Sequence, residues 1–162
     1  MDDVSKKILF YGITIIVSII TIYLIFTTIV ANSTSYSKGL VHWHADVEII
    51  ICGQEAELPK SDSFISNKVG TSEVHDHGDM RIHIEGVVNT QEEANVGHFF
   101  DAIKQDFTST SILGHKNGEL CNGKPGKVKM FINDIENNEF REHEIAHYTD
   151  VPPGDKIKIV FE

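Results

Sequence analysis

Positive charge is scarce in this sequence. Fourteen lysines and arginines stand against 24 aspartates and glutamates, and the basic residues are scattered rather than gathered into a stripe. A chain of that balance repels phosphate backbones, which argues against nucleic acid as a partner. A phosphate-binding loop, a nucleophile elbow, internal repeats and low-complexity tracts are all missing. Nothing in the motif content therefore announces a substrate, and whether the chain is an enzyme stays open on this ground. Cysteine is nearly absent too, with only Cys52 and Cys121. Outside the reducing cytoplasm such a pair is positioned for a disulfide, which by closing a loop of about 70 residues would contribute on the order of 4 kcal/mol; two buried thiols are the alternative.

Charge and proline are both lacking from Ile8 to Ala31, ILFYGITIIVSIITIYLIFTTIVA. A helix of that length spans about 36 Å, enough to cross a hydrocarbon core of about 30 Å with some tilt. The apolar part of a cleaved signal peptide is shorter, about 7–15 residues, so the run reads as an uncleaved single-pass transmembrane helix behind a cytoplasmic segment 1–7. Lys6 and Lys7 precede it and only Lys38 follows closely, so the positive-inside bias puts the N-terminus in the cytoplasm. The C-terminal part then lies outside, at the cell membrane. Asn32-Ser33-Thr34, on that side, matches a glycosylation sequon at Asn32. Residues 32–39 form a polar linker, and the remainder, 40–162, is enough for one ordinary core and too little for two.

Alternation organises that domain. From Leu40 to Ile51, Val41, Trp43, Ala45, Val47, Ile49 and Ile51 fall on one side and His42, His44, Asp46 and Glu48 on the other. Gly53-Gln54 is a turn signal, and Glu55 to Leu58 returns as a short strand ended by Pro59. Lys60 to Gly78 lacks a period and reads as a long loop, and long loops in compact domains are usually functional. Met80 to Gly86 is again a strand, with Ile82 and Ile84 inward and Arg81, His83 and Glu85 outward. Thr90-Gln91-Glu92-Glu93 has the form of a capping box and Asn95 offers a second N-cap, which predicts a helix to about Phe107 with Phe99, Phe100, Ile103 and Phe107 on its apolar face. Gly114 to Gly126 reads as loop. Lys127 to Asn133 and Lys156 to Glu162 alternate as strands, with Asn137 to Glu142 a candidate hairpin return and Pro152-Pro153-Gly154-Asp155 a turn. The expected fold class is α+β: an N-terminal transmembrane helix plus a small β-grasp-like domain, a mixed sheet with one covering helix.

Histidine is what the sequence has in excess. There are nine, five of them between His42 and His83. A transition-metal ion needs lone pairs converging at about 2.0–2.2 Å, and side chains two apart on a strand share a face. His42 with His44 meets that condition, and His83 with Glu85 meets it on a second strand. His75-Asp76-His77-Gly78-Asp79 lies in the stretch leading into that second strand, where glycine permits a sharp approach. The candidate site is thus His42, His44, His77 and His83, with His75 or Glu85 as alternates; any single one of these, taken alone, is as readily a hydrated surface histidine. Imidazoles with carboxylates suit zinc, copper, nickel or non-haem iron, and copper or zinc are the first candidates. Neither cysteine belongs to the set, because Cys52 lies roughly 27 Å along an extended strand from His44.

His143-Glu144-Ile145-Ala146-His147 matches H-E-x-x-H, the zinc-protease motif in which both imidazoles bind the metal from one helical face. Asn137-Asn138 before it and Pro152-Pro153 after it leave little room for the buried helix and third ligand such a site needs, and the segment fits an extended strand equally well. His98 and His115 have no paired neighbour and read as ordinary histidines.

The series VHWHADVEIII, HDHGDMRIHIEG, GHFFDAI, GKVKMFIND and GDKIKIVFE resembles a family of uncharacterised archaeal and bacterial membrane-anchored proteins patterned HxHAxLxIxI, LHTHDxxGxIHxE, LGxFF and VxVxVNG. The similarity covers Val41 to Phe161, and the isoleucine-rich, lysine-over-arginine composition is also of archaeal type. The resemblance implies the domain boundary rather than an activity. Matched by position, His42, His44, His75, His77, His83 and Glu85 fall on the motif histidines and glutamate. The gap from His77 to His83 is one residue shorter than in the pattern, which leaves the choice between His75 and His77 open. Three functions fit these observations: a non-catalytic copper- or zinc-handling module or accessory subunit of a membrane complex, a mononuclear metal-dependent enzyme using Asp76, Asp79 or Glu85 as general base, and a structural subunit of a membrane complex.

Overall fold

The computed structural model of the chain describes residues 2–145 and 154–162. It opens with helix α1 (Asp3–Thr34), capped by Asp2, whose side chain accepts from the Ser5 N–H at 2.8 Å. Strands β1 (Leu40–Ile51), β2 (Gln54–Ala56), β3 (Val69–Gly70), β4 (Val74–Asp76) and β5 (Arg81–Val87) follow. A 3-10 turn (Gln91–Ala94) leads into helix α2 (Val96–Ala102). Short strands β6 (Phe107–Thr108), β7 (Ser111–Ile112), β8 (His115–Lys116), β9 (Leu120–Cys121) and β10 (Lys124–Pro125) precede β11 (Val128–Ile132), β12 (Ile135–Glu136), a second 3-10 turn (Phe140–Glu142) and β13 (Asp155–Phe161).

β1 organises the main sheet, whose order is β12-β11-β13-β1-β5-β4-β3, with β2 also on β1. Along one edge β1 runs parallel to β13 from Ala45 to Ile51, and along the other it is antiparallel first to β5 and then to β2. The two-residue turn between β1 and β2 is made by Cys52 and Gly53, both at positive φ, as tight hairpin turns require. One face of the sheet carries Trp43, Ala45, Val47, Ile49, Ile82, Ile84, Met130, Ile157 and Ile159 into a single buried cluster. α2 and β6 bring Phe99, Phe100 and Phe107 into the same cluster, each aromatic contributing about 1.5–3 kcal/mol by burial.

The architecture is α+β: a long apolar N-terminal helix and a mixed sheet packed by a second helix. Five local features differ from expectation. The helix expected to reach Phe107 is shorter and in two pieces, because Asn95 is extended (φ −93°, ψ 161°) between the 3-10 turn and α2, and Lys104 adopts φ 58° just after α2. The segment expected to be one long loop, Lys60 to Gly78, contains β3 and β4, and the glycine-rich stretch Gly114 to Gly126 contains β8, which pairs back onto β7, and the β9–β10 ladder. The hairpin return falls at Ile135–Glu136, just before Asn137. Finally, Asn32 to Thr34 continue α1 instead of opening the linker, and the next residues are bonded to the domain: Tyr36 and Ser37 donate their N–H groups to the Asn89 and Val88 carbonyls at 3.2 and 3.0 Å. The Pro152-Pro153 part of the expected turn lies outside the described residues.

Candidate metal centre

The pairing of three strands assembles the site. β1 and β5 pair with His42 opposite Glu85 and His44 opposite His83, and β4 pairs with β5 so that His75 lies opposite His83. His44, His83 and His75 therefore form one row straight across β1, β5 and β4. The neighbouring row, Trp43, Ile84 and Val74, points the other way and is buried in the core. A slip of one residue would exchange the two rows and turn three imidazoles into the hydrophobic core in place of three apolar groups, so the hydrophobic row locks the imidazole row in place.

The rings lie close together. Centroids of His44 and His83 are 4.6 Å apart, of His77 and His83 4.7 Å, and of His75 and His83 5.4 Å with the two rings stacked. His42 Nε2 is 3.0 Å from His44 Nε2 and 3.3 Å from Glu85 Oε1. Two nitrogens bound to one tetrahedral ion lie about 3.3 Å apart, so the His42–His44 pair is close to a chelating geometry. Among the described residues, ligand atoms of two groups converge to within 4.8 Å of one another: His75, His77, His83 and Glu85, and separately His42, His44 and His83. The expected set of His42, His44, His77 and His83 is thus divided between two groups, with His83 in both. His75 and Glu85, expected only as alternates, join the larger one.

Burial decides the electrostatics. His75 is fully buried and His83 nearly so, and both ring nitrogens of each are buried with no hydrogen-bond partner among the described residues. An unsatisfied buried polar group costs about 1–3 kcal/mol, so these four nitrogens on two adjacent rings are where an added partner, an ion or a water, would gain most. Burial pushes the His83 imidazole down to about 4, with the neighbouring His44 adding to the effect. His75 and His44 are lowered by the same desolvation, reinforced by Lys68 for His75 and by His42 for His44. These three rings are held neutral near pH 7, the protonation state that donates a lone pair.

Carboxylates and a lysine frame the rings. Burial would raise the Glu85 carboxyl, but Lys68 Nζ, 3.0 Å from Oε2, holds it below the ordinary range. Asp76 is committed to the backbone, accepting from the Gly78 and Arg81 N–H groups at 2.6 and 2.9 Å, and burial raises its carboxyl, helped by its hydrogen bond with Asp79. That arrangement shapes the tight turn from β4 to β5 and withdraws Asp76 from a general-base role. Asp79 Oδ2 lies 3.8 Å from His83 Nε2, and Asn67 Oδ1 lies 3.0 Å from His77 Nδ1. On the far side of β4, Gly70 pairs with His75 at φ +126°, and a Cβ there would collide with the Val74 carbonyl oxygen. A groove of about 740 Å³ takes in Glu73, Glu85, Asn89 and His98 but none of the five clustered imidazoles.

The remaining sequence candidates lie elsewhere. Cys52 and Cys121 are joined as a disulfide with Cα atoms 5.3 Å apart. Asn32 is half-buried in the last turn of α1, not in a loop. At the H-E-x-x-H match, His143 is extended (φ −62°, ψ 121°) and Glu144 bridges to Asn95, so these residues do not lie on a helix; Ala146 and His147 lie outside the described residues. His143 instead sits 3.0 Å from Glu139 and 3.4 Å from Asp155. Lys68 and Asn67, which support the site from the β3 side, carried no sequence signal because nothing in their local pattern placed them beside Glu85 and His77. Comparison with known protein families, curated proteins and solved structures finds no match for this chain.

Proposed function

We propose that this chain is a membrane-anchored, non-catalytic metal-binding module whose domain faces away from the cytoplasm and holds copper or zinc on the imidazole face of its sheet. The observation that carries the reading is the buried pair His75 and His83, four ring nitrogens without a hydrogen-bond partner among the described residues, in register with His44 and flanked by His42, His77 and Glu85. Neutral imidazoles with one carboxylate suit these two borderline metals better than magnesium or calcium, which prefer all-oxygen sites. A binding role is favoured over an enzyme by two features: Asp76 is occupied by backbone N–H groups, and the large groove bypasses the rings. The anchor is α1, one helix long and apolar enough to cross a membrane. The disulfide and the Lys6-Lys7 pair ahead of α1 support an outside location for the domain. On this reading the chain serves as an accessory subunit of a membrane complex, its domain held close to the bilayer by the backbone hydrogen bonds of Tyr36 and Ser37.

The test is metal analysis of the full chain purified in detergent and dialysed against zinc or copper(II), beside a variant with His42, His44, His77 and His83 all changed to Gln. Stoichiometric metal in the parent and its loss in the variant is the expected result. Equal metal content in two preparations with the same circular dichroism would reject the site.

A further inference from the structure

Resting on that reading, we propose that the imidazole face holds two divalent ions side by side, with His83 as a ligand common to both. Six donors, His42, His44, His75, His77, His83 and Glu85, surround the centre, whereas a tetrahedral ion takes about four. They do not converge on one point. They separate into a three-residue group at the β1 side and a four-residue group at the β4 side, and His83, in the middle strand, is the one member of both. Its ring lies 4.6 Å from His44 on one side and 4.7 Å from His77 on the other, while His42, at 6.1 Å, stands on the outer side of the first group.

Histidine is suited to that middle position because its two ring nitrogens are separate donors pointing away from each other. A histidine bound to a single ion ordinarily passes its other N–H to a carboxylate, a carbonyl or water. In His83, as in His75, neither nitrogen has a protein carboxylate or carbonyl within hydrogen-bond distance among the described residues, and Asp79 Oδ2, at 3.8 Å from Nε2, is beyond hydrogen-bond reach. Two ions resolve this: each nitrogen binds one metal, the remaining ring proton leaves to solvent, and the resulting imidazolate carries one negative charge between two cations. The β4-side ion then has His75, His77, His83 and Glu85. The β1-side ion has His42, His44 and His83, with a fourth position for water; Glu85 Oε1, 3.8 Å from His75 Nε2 and 3.3 Å from His42 Nε2, lies between the two groups, while Lys68 holds Oε2.

The test is a stepwise copper(II) titration of the full chain in detergent, followed by metal analysis and electron paramagnetic resonance. Two equivalents are expected, with the first giving full signal and the second lowering the integrated signal below the copper content, because the imidazolate couples the two spins. The His42→Ala/His44→Ala variant is expected to keep one equivalent with full signal; His42→Ala alone, at an exposed position, serves if the double variant changes the circular dichroism. One equivalent in the parent, or two with undiminished signal, would overturn the shared-ligand pair while leaving a metal site in place. No bound copper would overturn the metal reading itself.

Discussion

His83 is the residue on which the site turns, and its chemistry makes a signed prediction. Burial holds its pKa at about 4, below the 6.5 of an exposed imidazole, and His75 and His44 are shifted in the same direction. A group depressed in the folded state binds fewer protons there than in the unfolded chain. In chelator-treated protein, stability contributed by the neutral rings is therefore present above pH 6.5 and lost as pH falls from 6.5 toward 4. His143 has the opposite sign, because its hydrogen bond to Asp155, with Glu139 beyond it, outweighs burial and raises its pKa above 6.5. Its contribution is full below pH 6.5 and lost as pH rises through the raised value. Denaturant midpoints of the metal-free chain should pass through a maximum near pH 6.5, and His143→Gln should flatten the alkaline side only. A midpoint that climbs steadily from pH 6.5 down to 4 would show that the rings are charged in the fold.

At the level of elements, the site depends on a strand that looks like a loop. β4 is three residues long, and its outer neighbour β3 is held against it by Gly70. Gly70→Ala forces a side chain into the Val74 carbonyl at positive φ and should cost about 1–3 kcal/mol. It should also weaken zinc binding, because it displaces the strand carrying His75; unchanged affinity by competition with a chelator dye would place the centre on β1 and β5 alone. The disulfide is a second element-scale test. It closes a separation of 69 residues between the β1–β2 turn and β9. Cys52→Ser/Cys121→Ser should lower stability by about 4 kcal/mol in denaturant titration, and a loss below about 1 kcal/mol would mean the loop is already restrained when unfolded.

What the sequence made legible was whatever repeats with a period. β1, β5, β11 and β13 are long enough for alternation to show, so the outward placement of His42, His44, His83 and Glu85 could be read directly. β4 is too short to show a period, so His75 could not be told from His77, and the buried, central role of His75 emerges only from its register opposite His83. The end of α2 was hidden for a related reason: Lys104 takes the left-handed conformation that usually marks itself with glycine. Lys68 reaches Glu85 across 17 positions of sequence, a contact no local pattern encodes.

At the scale of the whole molecule, α1, a helix of 32 residues, precedes the sheet that carries the imidazoles, and the proposed topology puts that sheet outside. Protease added to intact cells should digest the domain and leave the α1 fragment in the membrane, and a domain protected until the membrane is opened would reverse the topology. The metal reading and the pair of ions both presuppose that imidazole nitrogens on and beside β1, β4 and β5 are what bind the metal. X-ray absorption of the zinc-loaded full chain tests this most directly. A coordination shell of nitrogen and oxygen at about 2.0–2.1 Å, with the multiple scattering of several imidazole rings, is the expected spectrum. A shell of oxygen alone, or of sulfur at about 2.3 Å, would contradict it.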